Sequence, residues 1–254
     1  MNFVFRTTSP IFFGCGEVAR AGEVAAQYGR KALLVTGAQA LERTGQLDII
    51  TNSLSQAGVH WAHFRVPGEP TVQLVDEGTT FCLAEGCDVV LAIGGGSVLD
   101  AGKAIAALAT NGGHAVEYLE AVEGGGRRKV ERQPLPLVCV PTTAGTGSEA
   151  TRNAVLTVPE ARVKRSMRSD LLQPSAAIVD PLLASMAPLS VSTAAGFDAL
   201  TQLIESYLSK GAQPTTDALA VPGIRMAIRS LRAMAEGTPT REHWERMALA
   251  SLWS

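Results

Sequence analysis

Short apolar runs alternate with longer amphipathic stretches through the first two-thirds of the chain. Residues 31–36 (KALLVT), 88–93 (DVVLAI), 135–140 (LPLVCV) and 176–179 (AAIV) are nearly continuous in apolar side chains, the pattern of strands buried on both faces. Residues 59–66 (VHWAHFRV) read as a weaker strand, its alternation broken at Ala62. Between these runs the spacing predicts helices over roughly 18–28, 38–56, 72–85 and 98–109. Strands interleaved with helices define an α/β protein whose parallel sheet is covered on both sides.

After Pro181 the pattern changes. Residues 191–209, 215–235 and 241–254 read as helices, with no further strand. The shift divides the chain into an α/β unit over 1–182 and an all-helical unit, incomplete as it stands, over 183–254. The last predicted helix carries Trp244, Met247, Leu249, Leu252 and Trp253, a broad apolar face that calls for a cover. Residues 123–133 (EGGGRRKVERQ) form a polar loop whose basic run reads as solvated.

Composition narrows the class. A chain of 254 residues buries enough apolar surface to fold without metal or disulfide staples. Hydrophobic residues at 46% and charged residues at 18% exclude a disordered chain. The 22 basic and 24 acidic residues leave a formal charge of −2, which gives no electrostatic footprint for nucleic acid or an anionic membrane. No stretch approaches the ~20 apolar residues of a membrane span. The opening MNFVFRTTSPIFFG is too polar for a signal peptide. Cys15, Cys82, Cys87 and Cys139 form no CxxC pair, which fits a reduced, cytoplasmic setting.

Two turns carry the candidate chemistry. Gly94-Gly95-Gly96-Ser97-Val98-Leu99-Asp100 follows a strand and opens a helix. Glycine lets the backbone approach a ligand, and a helix start offers N–H groups and a positive dipole end to a phosphate. Ser97 and Asp100 have the spacing of a helix-capping pair, so a well-capped tight turn is the plain alternative. Counting excludes a Walker A loop, since Gly96 and Gly102 enclose five residues and Ala104 follows Lys103. It also excludes G-x-G-x-x-G, because position 99 is Leu, and G-x-S-x-G at Ser97 or Ser148. The second turn, 141–149 (PTTAGTGSE), also follows a strand and is rich in short hydroxyl donors. Two such loops at neighbouring strand ends converge on one cleft.

A third group lies in the helical unit. Asp198, Gln202 and Glu205 share one helix face, a pattern that an ordinary amphipathic helix also gives. His60 and His63 point to opposite faces of one strand, and neither His114 nor His243 completes a chelating set with Asp198.

At GGGSVLDAGKA, PTTAGTGSEAT, IVDPLL and FDALTQLIESYLS the chain resembles the iron-containing (group III) alcohol dehydrogenase family. The motifs occur in the family's order, and the resemblance runs along nearly the whole chain. It implies an N-terminal domain that binds NAD or NADP, a helical domain, and a divalent metal, iron or zinc, beneath the nicotinamide. By position, Gly94, Gly95, Gly96, Ser97 and Asp100 would surround the pyrophosphate. Thr142, Thr143, Thr146 and Ser148 would line the nicotinamide side, and Lys164 would contact the cofactor. Gly37 stands where NAD-preferring relatives carry an Asp that repels a 2′-phosphate, which predicts tolerance of NADP. Asp198 matches the first metal ligand, but Gln202 stands where the family usually has His, a weaker ligand for a transition metal. The family's two remaining His ligands come from helices beyond Ser254. The implied reaction is hydride transfer between the cofactor and a small alcohol or aldehyde, in a homodimer. A metal-independent enzyme resembling maleylacetate reductase is the near alternative, and a cofactor-binding fragment without turnover the non-enzymatic one.

Overall fold

The computed structural model describes residues 3, 4, 7 and 10–254; most of the polar segment before Pro10 lies outside the described residues. Six strands form one parallel sheet in the order β1-β8-β5-β4-β2-β3. They are β1 (Ile11–Phe13), β2 (Lys31–Thr36), β3 (His60–Arg65), β4 (Val89–Gly94), β5 (Leu137–Pro141) and β8 (Ala176–Val179). All residues of β4, β5 and β8 are buried, as nearly continuous apolar runs require.

Helices cover both faces of the sheet. On one side α1 (Ala21–Ala26) and α3 (Gln46–Gln56) bury Val24, Ile50 and Leu54 against Leu34, Leu91 and Val140. On the other, α4 (Val72–Ala84) and α5 (Gly96–Asn111) pack Val75, Leu99 and Ile105 over Leu33, Val90 and Cys139. Gly102 of α5 lies so close to the sheet that a Cβ there would meet Ala92 Cβ at 2.7 Å.

Several boundaries differ from the sequence reading. The helix predicted over 38–56 is two helices, α2 (Ala40–Arg43) and α3, because Gly45 adopts φ +70° between them. The short edge strand β1 was not predicted. Neither was the antiparallel hairpin of β6 (Asn153–Val158), whose residues alternate between partly exposed and buried, and β7 (Val163–Arg168), which buries only Met167. In the loop over 123–133, Arg128 is not merely solvated but stacks over the Tyr118 ring.

Four helices follow the sheet: α6 (Pro181–Ser185), α7 (Leu189–Leu208), α8 (Pro214–Ala235) and α9 (Arg241–Leu252). Asp180 joins them to β8. One carboxylate oxygen caps α6 through Leu182 N, and the other accepts from Gly16 N and Val18 N. The terminal helix is better covered than its apolar face suggested. Met247 and Ala250 are buried in a core shared with Leu203, Leu231 and Met234, and Trp244 and Trp253 are half-buried against it. Among the large apolar side chains of the helical unit, Leu208 and Phe197 of α7 are the most exposed.

Candidate functional site

The sheet places both loops at one point. In register, Thr36 pairs with Ile93 and Gly94 with Pro141, so β2, β4 and β5 end side by side. The connection after β2 runs outward to β3, and the next strand, β4, returns to the other side of β2. That reversal is the switch point where open α/β sheets leave a crevice.

The α5 helix opens into this crevice. Its N-cap, Gly95, is in extended backbone, and no side chain caps the helix. The expected Ser97–Asp100 capping pair therefore does not form. Asp100 instead accepts from Ser148 Oγ at 2.6 Å and from Val155 N at 3.0 Å. The uncapped N–H groups and the dipole end remain directed outward.

A cavity of ≈ 450 Å³ collects the groups named from sequence: Gly96, Ser97, Asp100, Thr146, Ser148, Lys164, Asp198 and Gln202 all line it. Gly145 brings α7 to its edge, since a Cβ there would stand 2.7 Å from Ala195 Cβ. Lys164 reaches in from β7 and pairs with Glu69 at 2.9 Å, an exposed contact that restrains it weakly. Thr142 and Thr143 line a neighbouring apolar slot of ≈ 180 Å³ with Leu41, Leu183 and Val191. Gly94 and Gly95 form the turn at the end of β4, and Gly37 follows β2 directly beside it, its nearest neighbour being Val98 Cγ2 at 3.8 Å from an added Cβ.

Sequence reasoning missed Asn153 and Val155, which β6 of the hairpin adds to the cavity wall, and Thr151 just before it. It also passed over Lys103. That side chain is fully buried and donates to Ser148 Oγ, Thr151 Oγ1 and the Asn153 carbonyl. The available signal was a lone Lys among the small and apolar residues of AGKAIAAL. Glu149, next to Ser148, is also fully buried, and burial raises its carboxyl to about 7 while the Lys103 charge opposes the rise.

The residues present do not make a tight transition-metal site. Asp198 and Gln202 are two oxygen donors one turn apart, and only one is anionic. The Gln202 carboxamide already faces the Gly145 carbonyl at 3.5 Å and the Ser254 hydroxyl at 3.4 Å. No group of three or more His, Cys, Asp or Glu among the described residues could hold a metal ion. The histidines lie elsewhere: His63 contacts Thr36, His114 contacts Asp76, and His243 contacts the cap residue of α9.

Fold and site together define an α/β protein with a crevice at the switch point of its parallel sheet and an appended helical layer. The comparisons narrow this to a family. Residues 8–181 match the profile described as "Iron-containing alcohol dehydrogenase", and residues 192–254 match "Fe-containing alcohol dehydrogenase family, C-terminal". The chain belongs to the iron-containing alcohol dehydrogenase family. It is 38% identical over 252 residues to the NAD-dependent methanol dehydrogenase of Bacillus methanolicus, which covers 98% of this chain and 64% of the relative. It is 40% identical over 246 residues to the 1,3-propanediol dehydrogenase of Klebsiella pneumoniae, covering 95% and 62%. Its fold is similar, at a TM-score of 0.90 and 30% identity, to the sulfoacetaldehyde reductase of Bifidobacterium kashiwanohense solved with NAD+, covering 100% of this chain and 66% of that one. The chain thus spans less than two-thirds of the length of these relatives. Among the described residues no helix is long and apolar enough to cross a membrane.

Proposed function

We propose that this chain binds NAD(H) or NADP(H) in the crevice and orients it for hydride exchange with a small alcohol or aldehyde. The observation that carries the reading is the convergence, in one cavity, of an uncapped helix start, a hydroxyl-rich loop and Lys164. On this reading residues 1–182 hold the dinucleotide and 183–254 close the substrate side. The pyrophosphate sits against Gly95, Gly96 and Ser97, where backbone N–H groups and the α5 dipole meet its charge. Thr142 and Thr143, expected from sequence on the nicotinamide side, line the apolar slot apart from Thr146 and Ser148, and on this reading they meet the adenine there. The nicotinamide ribose enters the polar cavity with Thr146, Ser148, Lys164 and Asp198.

In the reaction the alcohol loses a hydride from its carbinol carbon to C4 of the oxidised nicotinamide and a proton from its hydroxyl to water, which leaves an aldehyde, the reduced cofactor and a solvent proton. The cofactor supplies the hydride chemistry, and the protein supplies orientation. The oxygen-only pair Asp198 and Gln202 favours a second reading, a metal-independent reductase of the maleylacetate type. No step is assigned to a metal here, because the residues present fall short of the three protein ligands a catalytic zinc normally takes.

The test is a fluorescence titration of the chain with NADH and NADPH, followed by a turnover assay with short primary alcohols and diols. Saturable binding of one dinucleotide per chain supports the reading, with or without turnover. Absence of saturable binding of either cofactor would overturn it.

A further inference from the structure

Lys103 stands in the second turn of α5, with its side chain wholly removed from water. Three acceptors surround its Nζ: Ser148 Oγ at 2.9 Å, Thr151 Oγ1 at 2.8 Å and the Asn153 carbonyl at 2.9 Å. They match the three N–H groups of an ammonium, whereas a neutral amine would leave one acceptor unserved. Burial pushes Lys103 toward the neutral form, and the Asp100 carboxylate, 3.7 Å away, favours the charge.

Both hydroxyls commit their protons elsewhere. Ser148 Oγ donates to Asp100 Oδ1 at 2.6 Å, and Thr151 Oγ1 donates to the Ser148 carbonyl at 3.2 Å. A hydroxyl has one proton and two lone pairs. Lys103 occupies one lone pair on each, so each keeps one lone pair and no free proton. Ser148, Thr151 and Asp100 all line the cavity, and Asp100 as a carboxylate also only accepts.

We propose that Lys103 is a positioning residue that fixes the polarity of this wall, so that Ser148 and Thr151 meet the ligand as acceptors alone. The inference rests on the dinucleotide reading above and adds a direction to it. The cavity is sorted by its hydrogen-bonding groups. The α5 start donates, and it suits phosphate oxygens; Lys164, paired with Glu69, stands on the ribose side. The wall held by Lys103 accepts, and it suits ribose hydroxyls or the carboxamide N–H of the nicotinamide half. A phosphate set against that wall would face a carboxylate and two lone pairs. The polarity therefore selects one of the two ways a dinucleotide could lie in the crevice.

The test compares NADH with ADP, which lacks the nicotinamide riboside, by calorimetric titration of the full chain. Lys103→Met keeps side-chain length and removes all three donors, so both hydroxyls can reorient. The expected result is an NADH affinity weaker by about tenfold or more, with ADP affinity changed less than about twofold. Equal weakening of both ligands, or unchanged NADH affinity, would overturn the proposal. If Lys103→Met does not fold, Thr151→Val removes one acceptor and leaves Lys103 its other two partners. It should weaken NADH about threefold or more and leave ADP unchanged; parental NADH affinity would overturn the proposal. A parent chain that binds neither ligand would sink the dinucleotide reading along with the positioning role. A parent that binds both, with variants showing no split between NADH and ADP, would sink the positioning role alone.

Discussion

A Cβ placed on Gly96 would stand 2.8 Å from Thr146 Cγ2, so the start of α5 and the loop after β5 meet where a side chain on 96 does not fit. Gly95 differs, since its nearest neighbour would be Thr143 Oγ1 at an ordinary 3.5 Å. Gly96 is thus required by the protein's own packing, and Gly95 is free to serve a ligand. We expect Gly96→Ala to lower stability by about 1–3 kcal/mol, the usual range for overpacking. Urea denaturation checks this, and an unchanged midpoint would show that Thr146 yields without cost.

On the proposed reading, Gly37 sets the choice between NAD and NADP. It follows β2 directly, beside the glycine turn at the end of β4, and an added Cβ would meet nothing closer than Val98 Cγ2 at 3.8 Å, so a larger residue fits. With no carboxylate there, nothing at position 37 repels the 2′-phosphate of NADP. Gly37→Asp should weaken NADPH about tenfold relative to NADH, through like-charge repulsion in a partly dry crevice. Unchanged relative affinities would place the 2′-hydroxyl elsewhere.

The buried carboxyl of Glu149 predicts a stability that falls as pH rises. Its folded value of about 7 lies above the ordinary 4.5. Between about pH 5 and pH 7 the folded chain keeps a proton that the unfolded chain has lost, so raising pH through that window favours unfolding. The loss levels off above about pH 7 and amounts to about 3 kcal/mol. Glu149→Gln does not titrate. Its melting temperature relative to the parent should climb from pH 5 to pH 8; a constant difference would contradict the assignment.

Much of the architecture was legible in the sequence because the physics is local. Strands β2, β4, β5 and β8 are dry on both faces, so they read as unbroken apolar runs. The hairpin was not legible, because VKRSMR in β7 buries only Met167 and looks like a polar loop. The three-residue β1 gains its place only by pairing with β8. In the site, the glycine and hydroxyl loops were readable as strand-end turns. The role of Asp100 was not, because its partners Ser148 and Val155 are 48 and 55 residues away in the chain. The contact between Gly96 and Thr146 is hidden for the same reason, since sequence shows two small residues and not their separation.

Metal content follows from the donor set. Two oxygens, one of them neutral, exchange a divalent ion freely, whereas tight sites take three or four protein ligands. After dialysis against a chelator, elemental analysis should find less than about 0.1 iron or zinc per chain. Retention of about one ion per chain, lost on Asp198→Ala, would restore Gln202 as a ligand.

The proposed function stands on a dinucleotide phosphate lying against the turn at Gly95. NADH fluorescence titration of the parent and of Gly95→Val, with a thermal melt of each, tests it most directly. Gly95 has extended backbone that any residue adopts, so the variant should fold. The parent should bind NADH saturably, the variant about tenfold or more weakly, and the two melting temperatures should lie within about 3 °C of each other. Equal NADH affinity in the two proteins would contradict it.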